Sequence, residues 1–169
     1  MSGAKSSQYF SSLAIAAPYA QDPVTIQCID EMTEKPYFDI TLQMMKDFGV
    51  DSKNENYKNI TISNSSKYTG RTMQIEGDYS SASFFFLAAA ITQSRIEIAN
   101  LRHDTKQGDC RFVDFMALMG CDVEKEENGF ILQGTQLKPI ELDMSNVPDL
   151  VPPMAIAAVF AKGTSRLTN

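Results

Sequence analysis

SSQYFSSLAIAAPYA at residues 6–20 and SSASFFFLAAAIT at residues 80–92 open in the same way. Each begins with two serines, places a phenylalanine four residues after the first, and continues as an alanine-rich apolar run. Such a run, headed by small hydroxyl residues, is predicted to be a helix. Pro18 and the Gln21-Asp22-Pro23 turn are expected to stop the first of the two.

The stretches that follow also correspond. After the first helix, VTIQCI (24–29) alternates as a strand, and KPYFDITLQMMKDFG (35–49) reads as a helix with Pro36 in its first turn. Its apolar face is predicted at Ile40, Met44 and Phe48, and Gly49 is placed to end it. VDSKNENY (50–57) and NITIS (59–63) then form two short strands. After the second helix, RIEIAN (95–100) alternates as a strand. GDCRFVDFMALMG (108–120) is a helix with Phe112, Phe115, Met116 and Met119 on one side, closed by Gly120. CDVEKEENGFILQG (121–134) gives two strands, with Asn128-Gly129 expected at the turn between them and EKEEN (124–128) a solvated tip.

Ser6 and Ser80 lie 74 residues apart, and Gly49 and Gly120 lie 71 apart, so the pattern is a repeat with a small indel in its loops. Near the end, LDMSNVPDLVPPMAIAAVFAKGTSRLTN (142–169) starts the cycle again with a strand, an alanine-rich helix and a strand. The chain is therefore expected to be an α/β (α+β) protein. The repeat is expected to give two units of roughly seventy residues, each helix–strand–helix–strand–strand, and the unfinished start of a third.

Charge and composition narrow the function. A formal charge of -6 and a pI near 4.7 argue against nucleic acid or an anionic membrane as the partner. Three cysteines without a CxxC and a single histidine, His103, offer no metal-ligand spacing and suit a reducing, cytoplasmic setting. The N-terminus lacks a signal-peptide pattern, and no apolar run reaches the ~18 residues of a membrane span.

Hydroxyl residues at a helix start cap it, and the same helix end attracts anions. Gln8 adds a long amide to Ser6-Ser7, marking the first copy as the ligand-facing one. Ser80-Ser81, followed by Ala82, is expected to act as a cap alone. Asp149 in VPDLVPP is either the N-cap of the third alanine-rich helix or a carboxylate available for proton transfer. Lys35 and Tyr37 flank Pro36 at another helix start, as a solvated lysine and a half-buried tyrosine.

Five segments then resemble one family. SSQYFSSLAIAAPYA, KPYFDITLQMMKDFGV (35–50), EGDYSSASFFFLAAAIT (76–92), QGDCRF (107–112) and VPDLVPPMAIAAVFAKGT (147–164) are similar, in order, to the middle portion of 3-phosphoshikimate 1-carboxyvinyltransferases, the EPSP synthases. The resemblance implies two lobes of repeated βαβαββ units, incomplete here, with residues 1–73 similar to the last unit of the first lobe, 74–145 to a unit of the second, and 146–169 to the truncated start of a further unit. It also implies transfer of the enolpyruvyl group of phosphoenolpyruvate to shikimate 3-phosphate in aromatic amino-acid biosynthesis, with release of phosphate and no metal or organic cofactor. By the same resemblance Ser6, Ser7, Gln8 and Tyr37 bind the phosphorylated substrate, and Asp149 is the proton acceptor. Many members have a serine directly before Lys-Pro-Tyr that contacts the substrate phosphate. Here that position is Glu34, and neighbouring Thr33 is the candidate to replace the contact. The family's basic clusters lie outside these segments, so the chain alone is expected to be an inactive fragment prone to self-association. Two alternatives remain open at this stage: a UDP-N-acetylglucosamine enolpyruvyltransferase-like enzyme, and a non-catalytic tandem module.

Overall fold

Phe10, Ala14 and Ala17 follow one another at helical spacing, and all three are buried. They give α1 (Gln8–Ala16) its inner face. Pro18 does not end this helix directly. It sits inside a following 3-10 turn, Ala17–Tyr19, near whose start its missing N–H leaves no bond unmade. The computed structural model describes residues 1–169 and divides into two units, Met1–Gln74 and Ile75–Asn169.

In the first unit, β1 (Val24–Gln27) and β2 (Ser52–Glu55) flank β3 (Asn59–Ile62), both pairing with it antiparallel in the order β1-β3-β2. Helix α2 (Lys35–Asp47) packs beside α1. The core joins Phe10 and Ala14 to Phe38 and Met45 of α2 and to Ile26, Ile60 and Ile62 of the sheet. Phe10 meets Phe38 edge-on at 6.2 Å. Full burial of each ring stabilises the unit by about 1.5–3 kcal/mol, and an edge-to-face pair adds roughly 0.5–1.5 kcal/mol.

The sequence-predicted face of α2 is displaced. The core stripe is Phe38, Leu42 and Met45. Ile40, Met44 and Phe48 lie on a second stripe that, with Ile15 and Tyr68, lines an apolar groove of about 310 Å³. A helix apolar on two adjacent stripes does not declare which one faces the sheet.

The second unit repeats the arrangement. β4 (Arg95–Ala99) and β5 (Asp122–Glu126) flank β6 (Gly129–Gln133), again antiparallel, in the order β4-β6-β5. Helix α3 (Tyr79–Thr92) turns Tyr79, Ala82, Ser83, Phe86 and Ala90 inward. Helix α4 (Arg111–Leu118), with the residue after it, contributes Phe112, Phe115, Met116 and Met119, all at most 2% exposed. β7 (Glu141–Asp143) and β8 (Arg166–Thr168) pair in parallel on either side of α5 (Val151–Phe160). Residues 146–169 thus belong to the same unit, and Met154 and Ala157 of α5 share its core.

Helices α2 and α4 end identically. Gly49 and Gly120 have φ of 92° and 103°, and each donates its N–H back to Lys46 or Ala117. The next residue, Val50 or Cys121, bonds to Met45 or Met116. This is the Schellman arrangement, in which glycine takes the left-handed position without a Cβ penalty.

One feature departs from expectation. The hairpin between β5 and β6 turns on Glu127-Asn128, because Glu126 pairs with Gly129 and Gly129 is already the first residue of β6. In keeping with the sequence reading, α1 and α3 each open their unit ahead of its sheet strands, while α5 follows β7. Residues 70–77, TGRTMQIEG without its first residue, carry glycine at both ends and few apolar side chains. Gly77 N–H donates to the Asn100 carbonyl at 2.6 Å and Asn100 Nδ2 to the Ile75 carbonyl at 3.4 Å, just past the end of β4. No helix is long and apolar enough to cross a membrane.

Candidate functional site

Residues 1–7 reach the start of α1 by lying against the loop that leads into α2. Ser2 Oγ and Gly3 N–H donate to the two Asp30 carboxylate oxygens at 2.5 and 2.6 Å. These bonds hold the Asp30 carboxyl below the usual carboxylate range, the Ser2 hydroxyl contributing most and the Gly3 N–H next. The Gly3 carbonyl in turn accepts Thr33 N–H at 3.1 Å and Thr33 Oγ1–H at 3.2 Å. Thr33 is therefore engaged with backbone.

This pinning brings Ser6 and Ser7 onto Glu34. Ser6 Oγ donates to Glu34 Oε2 at 2.9 Å. Ser7, fully buried, donates from Oγ to the Glu34 carbonyl at 2.9 Å. Tyr37 N–H donates to the same carbonyl at 3.2 Å. Glu34 itself adopts φ 55° and ψ 37°, the left-handed region, which costs a non-glycine residue about 1–2 kcal/mol. The two bonds to its carbonyl and the one to its carboxylate hold it there. Gln8 is exposed, and its N–H donates to Ser6 Oγ at 3.3 Å. Lys35 pairs with Glu31 at 3.1 Å. Helix α1 has neither an acidic residue in its first turn nor a side-chain cap. Ser6, Ser7 and Tyr37 thus bond to one residue, Glu34, whereas Gln8 bonds to Ser6 and Thr33 to Gly3.

The second Ser-Ser is built differently, and its expected capping role passes to another residue. Asp78 is the N-cap of α3, and its carboxylate accepts both Ser80 N–H and Ser81 N–H at 3.1 Å. Ser81 Oγ also donates to Asp78 at 2.5 Å, and Ser80 Oγ donates to the buried Asp109. An aspartate two residues before Ser80 competes better than the serines because its ionised oxygens take two amides together. Gln107 clamps the approach, accepting Tyr79 N–H at 2.8 Å and donating to the Gly77 carbonyl at 2.9 Å. Asp78 escaped the sequence reading although aspartate before a helix is itself a cap signal; the conspicuous serine pair drew the assignment.

Asp149 lies in the second unit, in the 3-10 turn Pro148–Leu150 that precedes α5. It is exposed while Val147 and Leu150 beside it are buried. It does not cap α5, whose N-cap position is Leu150 and which has no side-chain cap bond. The prolines at 152 and 153 lack the N–H groups that a cap would satisfy. The buried Val147 and Leu150 anchor the turn, so the carboxylate stands at a helix start facing solvent.

His103 is a loop residue, its Nε2 2.7 Å from the Glu126 carbonyl and its ring edge-on to Phe130. Cys28 and Cys121 are buried, Cys110 is partly so, and none forms a disulfide. Burial pushes the thiols of Cys110 and Cys121 up. The larger groove, about 580 Å³ and lined by Leu13, Tyr19, Val24 and Ile26 among others, is apolar and does not include the serines.

The sequence matches the family model described as EPSP synthase (3-phosphoshikimate 1-carboxyvinyltransferase) across residues 1–169. A 3-phosphoshikimate 1-carboxyvinyltransferase of Shewanella amazonensis is 40% identical over 99% of this chain. One of Methanoregula boonei is 39% identical over 99%. The chain spans 39% and 40% of the length of these two relatives. Among solved structures, EPSP synthase from Acinetobacter baumannii matches with a TM-score of 0.73 and 26% identity, over 96% of this chain and 38% of that one. The enolpyruvyl transferase NikO from Streptomyces tendae shares the fold, with a TM-score of 0.66 and 17% identity over 92% of this chain and 37% of its own. On the full-length family match and these two relatives, the chain belongs to the EPSP synthase family.

Proposed function

We propose that this chain serves 3-phosphoshikimate 1-carboxyvinyl transfer, moving the enolpyruvyl group of phosphoenolpyruvate onto shikimate 3-phosphate with release of phosphate. The observation that carries this reading is the family match over residues 1–169. The start of α1, with Ser6, Ser7 and Gln8, is the side that receives the phosphorylated shikimate, and Tyr37 at the start of α2 borders it. Asp149, exposed at the start of α5, is the proton acceptor from the attacking hydroxyl. A carboxylate exposed at the surface of a helix start is open to a substrate, as a general base requires. The site is proposed to work in the cytoplasm. Without the remainder of the relatives' length the chain does not turn over substrate. Its exposed Leu13 and Tyr19 on one unit, and Phe85, Val159 and Phe160 on the other, favour self-association.

The test is a chimera in which this chain replaces the matching segment of the Shewanella amazonensis enzyme. It is expected to release phosphate only when phosphoenolpyruvate and shikimate 3-phosphate are both present. Asp149→Asn is expected to lower kcat by about 100-fold or more. A folded chimera without turnover, or one in which Asp149→Asn leaves kcat unchanged, refutes the assignment.

A further inference from the structure

The turn between β2 and β3 holds a residue that its backbone does not favour. Lys58 N–H closes the turn on the Glu55 carbonyl at 2.9 Å, and Asn56 and Tyr57 between them have φ of 50° and 60°. Turns with two left-handed central residues favour asparagine followed by glycine, and here a tyrosine stands where glycine avoids the steric cost. The backbone of the turn does not require it. Asn54 Oδ1 accepts Tyr57 N–H at 2.8 Å, a bond that any residue except proline makes. The side chain has two partners, and both lie at the start of α2. The Tyr57 hydroxyl donates to the Asp39 carboxylate, 2.9 Å from each oxygen. The Lys35 ammonium lies over the Tyr57 ring, 5.7 Å from its centroid. Lys35 and Asp39 are four residues apart, so one tyrosine spans the first turn of the helix. That turn has no side-chain cap, since its N-cap residue is the left-handed Glu34, and Tyr37 lies within it.

We propose that Tyr57 is a positioning residue for the start of α2, holding its first turn through Asp39 and Lys35 and so fixing Tyr37 at the border of the phosphorylated-shikimate site. The part played by Tyr37 rests on the functional reading above. The hold on α2 rests on the Tyr57–Asp39 and Tyr57–Lys35 contacts alone. An uncapped helix start frays, because its first N–H groups have no partner within the helix. A hydroxyl bonded to a carboxylate is a strong, directional contact, and it fixes the rotation of this turn about the helix axis. The ammonium over the ring holds the same turn at its other end. The hydroxyl is engaged by Asp39, so Tyr57 acts through the helix and not on a ligand.

The test joins amide exchange of the 169-residue chain to kinetics of the Shewanella amazonensis chimera, comparing the parent with Tyr57→Phe, Tyr57→Gly and Asp39→Asn. Tyr57→Phe keeps the ring and loses the hydroxyl. It is expected to speed exchange over residues 37–40 by about threefold or more while residues 43–47 of the same helix keep the parent rate. Tyr57→Gly, which suits the left-handed backbone, is expected to speed it further. Asp39→Asn keeps an acceptor oxygen and is expected to stay nearer the parent than Tyr57→Phe. In the chimera, Tyr57→Phe is expected to raise KM for shikimate 3-phosphate about threefold or more and KM for phosphoenolpyruvate less than about twofold. Tyr57→Phe, which preserves the packing, decides the matter if Tyr57→Gly does not fold. Unchanged exchange over residues 37–40 overturns the proposal. A uniform rise across the first unit also overturns it, because a contact that serves stability alone produces that result. Loosening of the helix start with an unaltered KM for shikimate 3-phosphate in an active chimera overturns it as well, since the hold on α2 then has no effect on the site. A folded chimera that is inactive with Tyr57 in place refutes the functional reading instead, and the exchange result then decides the hold on α2 by itself.

Discussion

Gly129→Ala tests whether residue 129 belongs to a strand or to a turn. A Cβ built on Gly129 falls 2.1 Å from the Ile98 carbonyl oxygen and 3.0 Å from Ala99 Cα. Ordinary contact begins at 3.4 Å, so the strands must part by about 1.3 Å at this point. The obstacle is backbone and cannot rotate aside. Parting them breaks the pairing of Gly129 with Ala99 in the central strand of the second unit. Overpacking of this kind costs about 1–3 kcal/mol, and each ladder bond lost adds roughly 0.5–1.5 kcal/mol. The variant is expected to lose about 3 kcal/mol. Asn128→Ala is the control. Asn128 is absent from the residues with positive φ, and its backbone carbonyl rather than its side chain bonds Asn100 N–H. It is expected to change stability by no more than about 0.5 kcal/mol. Urea unfolding followed by circular dichroism measures both, with amide exchange in β4 and β6 locating the effect. A Gly129→Ala variant within about 0.5 kcal/mol of the parent, or an Asn128→Ala variant that loses more than Gly129→Ala, refutes the strand assignment.

Two further outcomes follow from the geometry. Asp78→Ala is expected to destabilise α3 by about 1–2 kcal/mol, because one carboxylate caps two amides, and to speed exchange at Ser80 and Ser81; Ser81→Ala, which leaves the cap in place, is expected to do less. Burial, and then its bond to Asp39 at 2.9 Å, raises the Tyr57 phenol to about 12. Because the folded value exceeds the unfolded one of 10, the contribution of Tyr57 to stability is complete below pH 10 and lost as the pH rises through about 12. Ultraviolet titration is expected to show late ionisation of Tyr57 together with Tyr68 and Tyr79, whose phenols burial also raises, and Asp39→Asn is expected to bring the Tyr57 step alone earlier.

The repeat was legible because it is written in residues with few alternatives. Gly49 and Gly120 mark helix ends where only a left-handed residue fits, and the structure places both at positive φ. The central face of α4 was legible for a similar reason, since Phe112, Phe115, Met116 and Met119 form a single stripe. On α2 the apolar residues form two stripes, and only the position of the sheet chooses Phe38 and Met45 over Ile40 and Met44. The hairpin was misplaced because Asn-Gly is a strong local turn signal, whereas the close approach of Gly129 to Ile98 is a tertiary fact. At the candidate site, the residue types were visible but their relations were not. Glu34 could be recognised as an unusual neighbour for a phosphate. That it would bond both Ser6 and Ser7 depends on the path of residues 1–7 along the Asp30 loop and on a backbone conformation that glutamate seldom takes.

The division after Gln74 also has a consequence for how the chain is made. The first unit holds its own three-stranded sheet and its own core within Met1–Gln74. On the ribosome it can therefore fold as soon as Gln74 has cleared the exit tunnel, while the second unit is still being translated. The parallel pair obeys a different schedule. β7 has no partner until Arg166–Thr168 emerge, so its edge stays open to other chains through the synthesis of α5. Translation speed across residues 144–165 thus sets how long the nascent chain carries an unpaired strand.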